Sequence, residues 1–220
     1  MIKSKAIITI LLTLFLSASC IDARRFDIEE PDKQTSTPDN PEPDYYEYKT
    51  LVPELSGLCF TKNNASLLAV SDHGTIFEIG FNGEIIRQIP YVGNNDFEGI
   101  TMNHETGDIY LVDEAEMTVY KLSDDETELE EIVKIHVDNA VYNRGLEGIT
   151  YGQDTLYIVN QGSPTRMFKY DLKSGVLNYI DISYAGYLSD ISFDTTDNSL
   201  WIVDSRMRNI YHCDLLGNLI

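Results

Sequence analysis

The chain has 220 residues with 16 Lys and Arg against 36 Asp and Glu, a formal charge of -20. Such acidity excludes nucleic acid and electrostatic adhesion to anionic lipid, because both repel it. It agrees with solubility, cation binding or basic partners.

Residues 1–19 place Lys3 and Lys5 before the apolar run Ala6 to Leu16, with Ser17, Ala18 and Ser19 directly ahead of Cys20. Basic start, short apolar stretch and small residues are the layout of a signal peptide. A membrane-spanning helix needs about 20 apolar residues, and this run is shorter. The segment Leu16-Ser17-Ala18-Ser19-Cys20 resembles a bacterial lipobox, which implies acylation of Cys20 and attachment to the cell envelope, on the periplasmic or the cell-surface side, through lipid alone. Residues 20–44 then carry Pro31, Pro38, Pro41 and Pro43 among many carboxylates and few aliphatic residues. That composition cannot bury enough surface to fold, and predicts a tether.

From residue 45 to 220 the chain repeats itself. Its openings are Leu55-Ser56-Gly57-Leu58, Phe97-Glu98-Gly99-Ile100, Leu146-Glu147-Gly148-Ile149 and Leu188-Ser189-Asp190-Ile191. Gly57 to Gly99, Gly99 to Gly148 and Gly148 to Asp190 are 42, 49 and 42 residues apart. A nearly all-apolar run follows each opening, as in Ile109-Tyr110-Leu111-Val112-Asp113 and Leu156-Tyr157-Ile158-Val159-Asn160. Next comes a third run such as Thr118 to Leu122, and turns at Asn82-Gly83, Ser174-Gly175 and Gly217-Asn218 lead toward a fourth. Four short strands per period of about forty residues predict an all-β fold, a β-propeller of four-stranded antiparallel blades. Four blades are accounted for, where roughly six of this length make a closed ring. The expectation is therefore a shortened copy, with Tyr45 to Val52 as an extra strand completing the last blade.

These openings, with the lipobox, Asn82-Gly83-Glu84-Ile85-Ile86-Arg87-Gln88-Ile89 and Ile109-Tyr110-Leu111-Val112-Asp113-Glu114, resemble the SdiA-regulated family of bacterial propellers, related in architecture to NHL repeats. The resemblance implies a membrane-associated six-bladed propeller of unsettled function.

In an up-and-down blade the connection into the first strand and the loop after the second emerge on one face. Ser56, Glu98, Glu147 and Asp190 are thereby expected near the channel, with Asp72, His73, Asp113, Glu114, Asn160 and Asp204 on the same face. Crowded carboxylates repel one another unless a cation or solvent compensates. Calcium accepts six to eight oxygens in adaptable geometry, so Glu98, Glu147, Asp190 and Asn160 are its candidate ligands. The competing reading is structural, with these acids accepting backbone hydrogen bonds from the next blade or simply solvated.

Catalytic signatures are lacking: there is no G-x-S-x-G, no phosphate-binding glycine loop and no H-E-x-x-H. Cys59 and Cys213 lie in apolar runs without metal-ligand spacing and are expected as buried small hydrophobes. The leading expectation is a non-catalytic envelope lipoprotein that binds a protein, peptide or glycan. A calcium-dependent esterase, lactonase or phytase-like hydrolase is the alternative, and an inactive copy the third.

Overall fold

Each blade begins where the sequence repeats, because an apolar inner strand followed by an apolar second strand can be buried only between neighbouring sheets. The computed structural model describes residues 47–138 and 144–220. The first blade comprises β1 (Leu55–Phe60), β2 (Leu67–Ser71), β3 (Thr75–Ile79) and β4 (Ile85–Gln88). The second comprises β5 (Phe97–Met102), β6 (Ile109–Asp113), β7 (Thr118–Leu122) and β8 (Leu129–Lys134). The third has β9 (Leu146–Gly152), β10 (Thr155–Asn160), β11 (Arg166–Asp171) and β12 (Leu177–Asp181); the fourth has β13 (Leu188–Asp194), β14 (Ser199–Asp204) and β15 (Asn209–Cys213). All pairs are antiparallel and sequential, and the fourth sheet has three strands plus a bridge from Cys213 to Leu219.

The cores lie between blades. Leu68, Val70 and Ile76 of the first meet Phe97, Ile100 and Leu111 of the second. Tyr110, Val112 and Val119 meet Leu146, Ile149 and Ile158. Tyr157, Val159 and Met167 meet Ile191, Leu200 and Ile202. Consecutive inner strands pack in the order β1, β5, β9, β13. Glycine permits their approach: a Cβ on Gly99 would stand 2.5 Å from the Glu147 carbonyl oxygen, and one on Gly148 would stand 2.6 Å from the Asp190 Cα.

The register repeats as well. Gly57, Gly99 and Asp190 pair with Val70, Val112 and Val203, each following a bulge, and β9 carries the same irregularity between Leu146 and Ile149. Ser56, Glu98, Glu147 and Ser189 are thus the bulged residues, whose side chains leave the regular alternation. Asp190 stands in the glycine position, one place beyond the bulge.

Two further expectations meet the structure directly. The turns are as read, with Gly83, Gly175 and Gly217 at φ of 83°, 69° and 75°, conformations cheap only for glycine. The strand expected over Tyr45 to Val52 is not formed by its described part: residues 47–52 are not in a strand. Instead the Lys49 carbonyl lies against Gly83, and Val52 is buried with Leu67, Ala69, Phe77 and Ile79 of the first blade. Pro53, with no amide to donate, ends this segment's capacity for pairing. The signal peptide, Cys20, the tether and Tyr45 lie outside the described residues.

Candidate functional site

One hydrogen bond recurs at the same place in every blade and defines the top face. The amide after the second strand donates to the carbonyl just before the first: Asp72 to Glu54 (3.4 Å), Glu114 to Asp96 (2.8 Å), Gln161 to Gly145 (2.8 Å) and Ser205 to Tyr187 (3.1 Å). Both connections therefore share one face, and the acids they carry converge with the bulged residues of the inner strands.

On the second blade Asp96, Glu98 and Glu114 each offer a carboxylate oxygen, all within 4.8 Å of one another. Glu114 is buried and its Oε1 accepts the Gly145 amide at 2.8 Å, so one acid does bond backbone of the next blade. Burial, then repulsion by Glu114, Asp96 and Asp72, pushes the Glu98 carboxyl up to about 8, against a smaller opposing hydrogen bond from Ser56. Burial and Glu98 likewise hold Glu147 well above the ordinary carboxyl range. Its Oε1 accepts the Gln161 side-chain amide at 2.6 Å. Gln161 occupies in the third blade the place that Glu114 has in the second. An amide there satisfies Glu147, whereas a second acid leaves Glu98 facing like charge.

Asp190 is raised to about 7 by burial, offset in part by the Ile191 amide that its Oδ1 accepts at 2.8 Å. On the first blade Glu54, Asp72 and His73 form a second, more exposed group, with His73 Nε2 3.5 Å from Glu54 and 3.8 Å from Asp72. Burial and Glu54 raise Asp72 to about 6. Glu54 and Asp96 were not among the residues expected from sequence; both precede a first strand, and aligning the openings one position further upstream would have marked them.

The residues ending each second strand behave otherwise. Asp113 accepts the Asn95 side chain at 2.7 Å and the Glu116 amide at 2.9 Å. Asp204 is fully buried: Oδ1 accepts the amides of Tyr187, Arg206 and Met207, and Oδ2 accepts that of Gly186. These hydrogen bonds hold its carboxyl below the usual range against the cost of burial. Asp204 therefore presents no oxygen to the top-face solvent; it ties two loops together. Asn160 does the same with its amide nitrogen, donating to the carbonyls of Gly162 and Pro164 at 3.3 and 2.7 Å, while its Oδ1 is buried without a hydrogen-bond partner. Among the expected calcium ligands the structure brings Glu98 and Glu147 into one electrostatic group, with Asp190 acting on Glu147.

Cys59 and Cys213 are free thiols in apolar surroundings, and burial lifts Cys59 to about 12. Among the described residues no helix is long and apolar enough to cross a membrane.

A family model described as SdiA-regulated matches residues 44–220. No curated protein matches. Solved structures share the fold at low identity. A Bacteroides thetaiotaomicron protein of unknown function aligns with a TM-score of 0.59 and 12% identity, over 76% of this chain and 42% of its own. A gluconolactonase from Xanthomonas campestris aligns with a TM-score of 0.59 and 15% identity, over 76% and 60%. A chain of a nidogen/laminin complex aligns with a TM-score of 0.56 and 15% identity, over 74% and 66%. The chain thus spans less than two thirds of the length of each.

Proposed function

The chain belongs to the SdiA-regulated family, and on that premise we propose that it is a cell-envelope binding propeller, tethered through Cys20, whose top face takes a divalent cation between Asp96, Glu98 and Glu114. The observation that carries this reading is the meeting of three carboxylates with no Lys or Arg paired to any of them among the described residues. Hard oxygen donors in a loose arrangement suit calcium better than zinc, which favours His and Cys, or magnesium, which demands tighter octahedral order. Glu147 would supply further negative charge from the neighbouring blade. A bound cation would let Glu98 and Glu114 ionise together, and would leave outward coordination positions for oxygens of a protein, peptide or glycan partner.

Calcium titration of the full chain by calorimetry tests the cation step. One saturable site is expected, accompanied by a rise in melting temperature, and both are lost in Glu98→Gln and Glu114→Gln. No heat and no thermal shift at millimolar calcium would remove the reading.

The second reading, a calcium-dependent hydrolase, is supported by the shared fold with a gluconolactonase. In that case the same ion would polarise a lactone or ester carbonyl and acidify a water. Turnover of a lactone or phosphoester substrate that appears with calcium and vanishes in Glu98→Gln would favour it over binding alone.

A further inference from the structure

The two carboxylate groups, Glu54 with Asp72 and Asp96 with Glu98 and Glu114, lie on the first two blades; on the third and fourth, beside Glu147 and Asp190, the same rim carries arginine. Of the arginines in the described residues, Arg87 is paired with Glu78 and Glu126, and Arg166 with Asp181. Arg208 has no ion pair and no side-chain hydrogen bond among the described residues, and neither do Arg144 and Arg206. Both instead lie over one ring: each guanidinium carbon is 5.1 Å from the centroid of Tyr187. The two cations are therefore no further apart than twice that distance. Three of the five arginines in the described residues thus lack a carboxylate, and what sets Arg144 and Arg206 apart is that they share one tyrosine.

The setting is built rather than incidental. Arg144 directly precedes Gly145, whose amide is held by Glu114 and whose carbonyl accepts the Gln161 amide. Tyr187 and Arg206 are held by the same buried carboxylate, since Asp204 accepts the backbone amides of both at 3.1 and 3.0 Å. The stem of Arg206 runs over Gly186, where a Cβ would come within 3.0 Å of its Cδ. Asp204 is entirely buried and its oxygens are spent on amides, so it fixes the arginine's loop without reaching the solvent side to neutralise it.

We propose that Arg144, Tyr187 and Arg206 form a binding site for a small oxyanion, a carboxylate or a phosphate, on the top face of the third and fourth blades. A guanidinium lying on an aromatic ring keeps its N–H edge free, and that edge matches the two oxygens of a carboxylate or phosphate. The ring holds the plane of the fork, so less conformational freedom is lost when the anion arrives. The site needs no metal.

The test is a titration of the full 15N-labelled chain, freed of divalent cations on a chelating resin and kept at constant ionic strength, with inorganic phosphate in one arm and acetate in the other. Arginine Nε signals are followed and assigned by their loss in Arg144→Gln and Arg206→Gln. Saturating shifts at Arg144 and Arg206, with Arg166 unmoved because Asp181 holds its Nε at 2.7 Å, support the site. The arm that saturates says whether phosphate, carboxylate or either is taken. Each glutamine variant should weaken binding by about tenfold or more, while Tyr187→Phe retains it. Shifts that never saturate in either arm, or that persist undiminished at the remaining signals in both variants, would overturn the proposal. Because no calcium is present, a failed calcium titration leaves this result standing, and the reverse.

Discussion

Burial and the acids around it hold Glu98 in its neutral form. An ordinary glutamate ionises near 4.5, whereas folded Glu98 keeps its proton to about 8. Burial is the main cause; Asp96, Glu114 and Asp72 add repulsion, Glu147 lies alongside, and only the Ser56 hydroxyl favours the charged form. Between these two values the unfolded chain has released a proton that the folded chain still holds. Folding stability conferred by the neutral acid is complete below pH 4.5 and declines as pH rises toward 8. Glutamine cannot ionise and fits the same space. Glu98→Gln should therefore leave stability unchanged below pH 4.5 and raise it at pH 8 by on the order of 4 kcal/mol in calcium-free buffer. Urea unfolding at both pH values measures this, and an equal decline with pH in variant and parent would show that Glu98 is not the strained acid. The gain at pH 8 should also shrink when calcium is added, because the cation relieves the same repulsion in the parent.

At the scale of the strand and its loops, the inner strands are the elements most legible in the sequence. Leu-Ser-Gly-Leu, Phe-Glu-Gly-Ile and Leu-Glu-Gly-Ile mark bulge and close approach together, since a bulge re-aims one side chain and the next position has no room for a Cβ. Gly99→Ala should accordingly cost roughly 2 to 4 kcal/mol in chemical denaturation, because the new methyl would meet the Glu147 carbonyl and Ile149 amide, neither of which is a flexible side-chain end. A loss below about 1 kcal/mol would mean that the neighbouring strand yields easily and that glycine is not what sets the spacing. What the repeats could not reveal is which loop residues meet across the top face. Glu54 and Asp96 become neighbours of Asp72 and Glu114 only through an amide-to-carbonyl bond spanning the blade, and such a bond has no side-chain signature. Asp204 and Asn160 looked like rim ligands for the opposite reason: a polar residue at a strand end reads the same whether it faces solvent or caps its own loop. Arg144 and Arg206 sit in different repeats at non-equivalent positions, so periodicity gave them no weight.

For the whole molecule, the repeat predicts more than shape, because each blade is stabilised by its own sheet and by the faces it shares. Among the described residues the second and third blades share cores on both sides, the fourth on one. Their central strands make a clean comparison. β10 and β14 are each hydrogen-bonded to a partner on either edge, so local pairing is equivalent. β10 packs Leu156 and Ile158 toward one neighbour and Tyr157 and Val159 toward the other. β14 buries Leu200 and Ile202 against the third blade, while Trp201 on its other face stacks on His212 of its own sheet at 4.2 Å. Where stability is the sum of unit and interface contributions, a unit that shares one face opens before a unit that shares two. Amides of Leu156 to Asn160 should then exchange only through global unfolding, and those of Leu200 to Asp204 through a smaller opening that frees the fourth blade. Native-state hydrogen exchange against rising denaturant reads this directly: the β14 amides should start from a lower free energy with a shallower denaturant slope and merge with β10 near the unfolding midpoint. Identical free energies and slopes for both strands from the outset would mean that the four blades unfold as one unit, and that sharing a second face contributes little to holding a blade in place.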